Sequence, residues 1–162
     1  IVQQFALRYP ERVGQRAILR PGAGRTDAER QHVQERICNL EKGDLDTNIE
    51  LALERWFSPE FRQNHPERVQ KRIAELRATS PEGYFQAYRV FVLSDLAEHL
   101  SQIQCETLVM TGEYDPGSNV RMARLMHEKI PASQLEILPG LRHSVLVEAP
   151  QLIAEKLDSF LR

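Results

Sequence analysis

Thr107-Leu-Val-Met-Thr-Gly-Glu-Tyr-Asp115-Pro116 is an uninterrupted run of strand length that ends on a turn holding an acid. Such a run fits a parallel strand covered on both faces. Leu135-Glu-Ile-Leu-Pro-Gly-Leu-Arg-His143-Ser144 repeats the plan: Gln134–Leu138 reads as a strand, and His143 follows in the loop. Between them Val120–Ile130 has the spacing of an amphipathic helix. After them Pro150–Leu161 reads as a closing helix, with Leu152, Ile153, Leu157 and Phe160 on one face. Strand, helix, strand, helix implies an α/β fold with a mostly parallel sheet. In such sheets the functional residues gather just beyond the carboxyl ends of the strands, where Asp115 and His143 fall.

Taken singly, the two residues are unremarkable. Asp115 before Pro116-Gly117 suits a turn, and one loop histidine suits the surface. Together, each after a strand and in the order Asp then His, they match the last two members of a Ser…Asp…His triad. That chemistry needs a carboxylate to fix the imidazole tautomer and a second ring nitrogen free to take a hydroxyl proton. The nucleophile motif G-x-S-x-G is absent from the chain, which is expected to open just after it. Ser144 adjoins His143 too closely to be aimed at it, and Ser118 suits a helix cap.

Working outward, Ile1–Tyr9 reads as a helix, with Ile1, Val2, Phe5 and Ala6 as its apolar positions and Pro10 as its stop. Arg16–Leu19 is a short strand, and Pro21-Gly-Ala-Gly24 breaks it. From Thr26 to about His99 the pattern is almost wholly helical. Asp27 is placed to cap a helix carrying Val33, Ile37 and Leu40, ended by Gly43. Leu45–Trp56 is a second helix, closed by Pro59. Pro66 starts a third, with Val69, Ile73 and Leu76 inward, and Ser80-Pro81-Glu-Gly83 opens a fourth. The expected organisation is therefore a core fragment at 1–24, a helical segment at 25–95 and an α/β portion with acid and base at 96–162.

Composition narrows the function classes. The chain has 162 residues, 41% hydrophobic and 27% charged, which is globular. A net charge of -2 argues against a nucleic-acid partner. No apolar run approaches the roughly 20 residues that span a bilayer, so no membrane partner is expected and a cytoplasmic protein is. Cys38 and Cys105 match no metal spacing and read as reduced, buried or half-buried residues. His32, His65, His99 and His127 show none either, so neither a metal nor a cofactor is expected.

Three phrases together resemble the α/β-hydrolase family. Ile1-Val-Gln-Gln-Phe-Ala-Leu-Arg-Tyr-Pro-Glu-Arg-Val13 looks like the helix after the nucleophile elbow. Thr107–Asp115 looks like the strand and loop of the acid. Leu138-Pro-Gly-Leu-Arg-His143, followed by Glu148-Ala-Pro150, looks like the base and the final helix. The branch most similar is that of 3-oxoadipate enol-lactonases and small esterases, whose cap the segment with Glu54-Arg-Trp-Phe-Ser-Pro-Glu-Phe61 resembles. The resemblance implies the later part of a partial α/β-hydrolase sheet with a helical cap insertion. Asp115 would be its acid and His143 its base. The parent would be a serine hydrolase cleaving a small-molecule ester or enol-lactone through an acyl-enzyme. Arg89 and Arg142 are candidates to hold a substrate carboxylate, and Trp56 to line the pocket, although Trp56 and Phe57 equally suit packing. A helical interaction module, or a relative with another nucleophile such as an aspartate dehalogenase, are the alternatives. An incomplete sheet also implies self-association through its exposed edge.

Overall fold

A computed structural model describes residues 1–41 and 45–162, with the side chains of all of these except 45–47. In chain order the elements are α1 (Val2–Arg8), β1 (Gln15–Leu19), α2 (Asp27–Glu41), α3 (Leu45–Trp56), α4 (Pro59–Asn64), α5 (Pro66–Arg77), α6 (Pro81–Leu93), β2 (Glu106–Gly112), α7 (Val120–Lys129), β3 (Ser133–Leu138), α8 (Val145–Glu148) and α9 (Pro150–Leu161). Single 3₁₀ turns occupy Pro10–Arg12 and Leu100–Gln102. The chain divides into two compact units: Ile1–Gly24 with Leu96–Arg162, and Arg25–Asp95. No described helix is long and apolar enough to cross a membrane.

The first unit is built on a parallel sheet in the order β1-β2-β3. Ala17 pairs with Leu108, and Val109 pairs with Leu135. β2 is hydrogen-bonded on both sides and buried from Thr107 to Gly112, which is why its sequence carries no polar alternation. Successive side chains of a strand point to opposite faces, and two cores result. Ile18 and Val109 meet Ala123 and Met126 of α7, with Leu100, Ile103 and Ile130. Leu108, Met110 and Leu138 meet Val145 of α8 and Ile153 and Phe160 of α9. α7 is the crossover that two adjacent parallel strands require.

Two features of this unit depart from expectation. On α1 only Ala6 is buried, and Ile1, Val2, Phe5 and Tyr9 stand exposed, so the apolar stripe faces away from the described core. On β1, Arg16 is buried at 6% exposure. Its Nε donates to Thr107 Oγ1 at 2.9 Å, while Nη1 and Nη2 have no hydrogen-bond partner among the described residues.

Among the described residues, the regular elements of the second unit are all helices. α2 packs on α3 and α6, and α4 on α5. Its interior includes Phe57, which is fully buried and stacked on Phe61 at 5.4 Å, with Val69 and Leu76 from α5. The stripe Val33, Ile37 and Leu40 of α2 is only half-buried. The cap of α2 is Thr26 rather than Asp27. Thr26 Oγ1 accepts from the Glu29 amide at 3.3 Å, and Glu29 Oε2 accepts from the Thr26 amide at 2.7 Å, a reciprocal capping box. Gly43, read as the stop of this helix, lies outside the described residues. Pro59 opens a helix instead of merely closing one. Ser58 Oγ accepts from the Phe61 amide at 3.2 Å, and proline is tolerated in a first turn because that amide has no helical partner. Ser80 caps α6 in the same way.

Candidate active site

The ends of β2 and β3 converge because a glycine lets them. A Cβ on Gly112 would fall onto the carbonyl oxygens of Leu141 and Arg142, so the loop after β3 can pack on β2 only where no side chain stands. The Glu113 amide then donates to Leu138 O, and the Tyr114 amide to Leu141 O, each at 2.9 Å. Gly140, at φ +72°, turns the chain back toward β2, and its amide donates to Glu113 Oε2 at 3.0 Å. These bonds bring the two loops together and put Asp115 beside His143.

Asp115 is 2% exposed and uses both carboxylate oxygens. Oδ1 accepts from the amides of Gly117 at 2.8 Å and Ser118 at 2.9 Å, closing an Asx turn. Oδ2 meets Nδ1 of His143 at 2.7 Å. The turn and acid readings of this residue are thus compatible, since each occupies a different oxygen. Burial, the largest influence on Asp115, pushes its carboxyl up. The hydrogen bond and charge of His143, aided by the amides of Ser118 and Gly117, outweigh it and hold the carboxyl below its ordinary value.

An ionised carboxylate only accepts hydrogen bonds, so Nδ1 must carry the proton. In the neutral ring Nε2 is then a lone pair. The imidazole side chain remains 28% exposed against 0% for the acid, and no described residue bonds to Nε2. The arrangement is chemically a base with one nitrogen locked and the other unbonded among the described residues, on a part-exposed ring. Ser118 is not the helix cap: Asn119 Oδ1 accepts from the Met122 amide at 3.0 Å, while the Ser118 carbonyl accepts from Thr111 Oγ1. Ser144 is buried immediately after His143 and its side chain makes no capping bond.

The other candidates separate. Arg142 lies beside the pair, half-buried, with its amide 3.4 Å from Glu148 Oε1. Arg89 is exposed on α6, in the helical unit. Trp56 belongs to that unit too. It sits edge-on to Phe57 with the Arg72 guanidinium 5.3 Å from its ring centre, which is packing. Cys38 is exposed rather than buried, Cys105 is half-buried, and both are free. Among the described residues no His, Cys, Asp or Glu group could hold a metal. What the sequence did not single out is the meeting of Arg36, Arg55 and Tyr88, which come from three different helices and share no spacing signal.

Comparison with known proteins agrees with this architecture. Over 155 residues the chain is 33% identical to (E)-2-((N-methylformamido)methylene)succinate hydrolase of Acinetobacter baylyi, covering 94% of this chain and 57% of that protein. It is 29% identical over 160 residues to 3-oxoadipate enol-lactonase 2 of the same organism, covering 99% and 59%. The structure of a hydrolase from Pseudomonas aeruginosa superposes with a TM-score of 0.88 at 26% identity, covering 98% of this chain and 59% of that one. The chain therefore spans less than two thirds of the length of each. Its fold is a partial α/β-hydrolase fold. The model of the Ndr family matches residues 1–162, and the chain belongs to that family.

Proposed function

We propose that the whole protein is a serine hydrolase acting on a small carboxylic ester or lactone, with Asp115 and His143 as two thirds of its triad. The observation that carries this is the 2.7 Å bond from His143 Nδ1 to a buried, doubly amide-held Asp115, with Nε2 unbonded among the described residues. Support comes from relatives named as a hydrolase and an enol-lactonase.

In this reading the serine lies outside the 162 residues. Its hydroxyl proton passes to Nε2 as the oxygen attacks the substrate carbonyl. The imidazolium then protonates the leaving alkoxide or enolate, leaving an acyl-enzyme. Water, deprotonated by the same nitrogen, releases the acid. Asp115 stays ionised throughout and holds the ring. The helical unit, Arg25–Asp95, serves as a cap that sets specificity.

The test is turnover of p-nitrophenyl acetate by the whole protein and by His143→Ala. Triad members act as a unit, so a loss on the order of 10⁶-fold in kcat is expected. Undiminished turnover in the variant removes His143 from the mechanism.

A further inference from the structure

Arg36 of α2 meets Tyr88 of α6 inside the helical unit, and Arg55 of α3 lies within electrostatic reach of both. Arg36 Nη1 donates to the Tyr88 hydroxyl at 2.9 Å. Tyr84 stacks on Tyr88, ring centres 6.2 Å apart and nearly parallel. Arg55 is close enough to feel the charge of Arg36 and of both phenols. Burial first, then Arg36, brings the Arg55 guanidinium down to about 10.

Several other arginines meet acids: Arg30 meets Asp27 and Asp95, Arg72 meets Glu75, and Arg162 meets Asp158. Among the described residues no carboxylate pairs with Arg36 or Arg55, and none is among the charges that reach Arg55. Two half-buried like charges repel, and partial dehydration adds to the cost. An anion between them would remove both penalties.

The donors suit such an anion. Guanidinium is a planar fork that matches the two oxygens of a carboxylate. Burial raises the Tyr88 phenol, so it is protonated at neutral pH. Its oxygen already accepts from Arg36, which leaves its own proton to donate. All four side chains are half-buried, not sealed, so solvent reaches them.

We propose that Arg36, Arg55 and the Tyr88 hydroxyl form a binding site for a small carboxylate within the helical unit. The carboxylate is that of a free acid, and the site is independent of the hydrolase reading above.

The experiment has two arms on the whole protein. Calorimetric titration with succinate, and separately with inorganic phosphate, reads the site without catalysis. Succinate should bind, and bind more tightly than phosphate. Arg55→Gln should weaken it about 10- to 100-fold, as expected for lost charge-assisted bonds, and Tyr88→Phe should weaken it less. The second arm repeats the succinate titration on Arg36→Gln, which should weaken binding by a similar factor. If Arg55→Gln does not fold, Arg55→Lys keeps the charge without the fork and should give a smaller loss.

Succinate binding untouched by Arg36→Gln and Arg55→Gln overturns the site, and so does tighter binding of phosphate. Full turnover by His143→Ala would sink the hydrolase reading alone, because the succinate titration is independent of it.

Discussion

Replacing Asp115 with asparagine changes one atom and should disable the site. The side-chain carbonyl of asparagine can still accept from the Gly117 and Ser118 amides, as Oδ1 does now at 2.8 and 2.9 Å. The amide nitrogen then takes the place of Oδ2, 2.7 Å from His143 Nδ1. An amide nitrogen donates, so Nδ1 must accept, and the proton moves to Nε2. The ring then has no lone pair where a base is needed. Tautomer reversal of this kind costs on the order of 10⁴ in kcat, or about 5.5 kcal/mol of barrier at ~1.4 kcal/mol per decade.

Stability should respond separately. The Asp115 carboxyl lies below its ordinary value of 3.8 in the folded protein. Its contribution is therefore fully present above that ordinary value and is lost as the pH falls through the lower folded one. The variant should be less stable by about 1–3 kcal/mol at pH 7, the worth of a charged hydrogen bond, and the gap should close in strong acid. The assays are steady-state turnover of p-nitrophenyl acetate by the whole protein, and urea unfolding at pH 7 and below pH 3.8. A variant within tenfold of wild-type kcat, with normal circular dichroism, refutes the orienting role. A stability gap that widens in acid refutes the electrostatic account.

Three further outcomes are expected. Gly112→Ala places a methyl against the carbonyls of Leu141 and Arg142; it should cost about 1–3 kcal/mol in urea unfolding and lower turnover together with stability, by displacing the loop of His143. Thr26→Ala and Glu29→Ala should each remove about 1 kcal/mol from the helical unit, and a double-mutant cycle should show them coupled; strictly additive losses would mean the capping box is not formed in solution. The isolated 162-residue chain should sediment as oligomers, because among the described residues β1 pairs only with β2 and the apolar side of α1 is exposed, whereas a clean monomer at tens of micromolar would contradict this.

Local chemistry made much of the molecule legible. β2 announces itself because a strand flanked on both sides by partners and on both faces by helices has no position for a charged residue from Thr107 to Gly112, and its two threonines are buried with their hydroxyls bonded. α5 and α6 begin at Pro66 and Pro81 because a fixed φ suits a first turn. The pairing of Asp115 with His143 was readable from order alone, since parallel strands joined by one crossover must present their following loops at the same end. Pro59 shows where local reading fails. A proline after a helix and a proline opening the next one look alike, and only the Ser58 hydroxyl on the Phe61 amide separates them.

From residue order and periodicity came the α/β class, the helical segment and the expectation that Asp115 and His143 would meet, as they do. Tertiary structure alone decided that Asp115 divides its two oxygens between a turn and an imidazole, because the second partner arrives from a different strand end. It also decided which arginines stand together. Arg36 and Arg55 carry no signal in their spacing; they meet because α2 packs on α3 and α6, and side-chain proximity across helices is a property of packing, which no local pattern records.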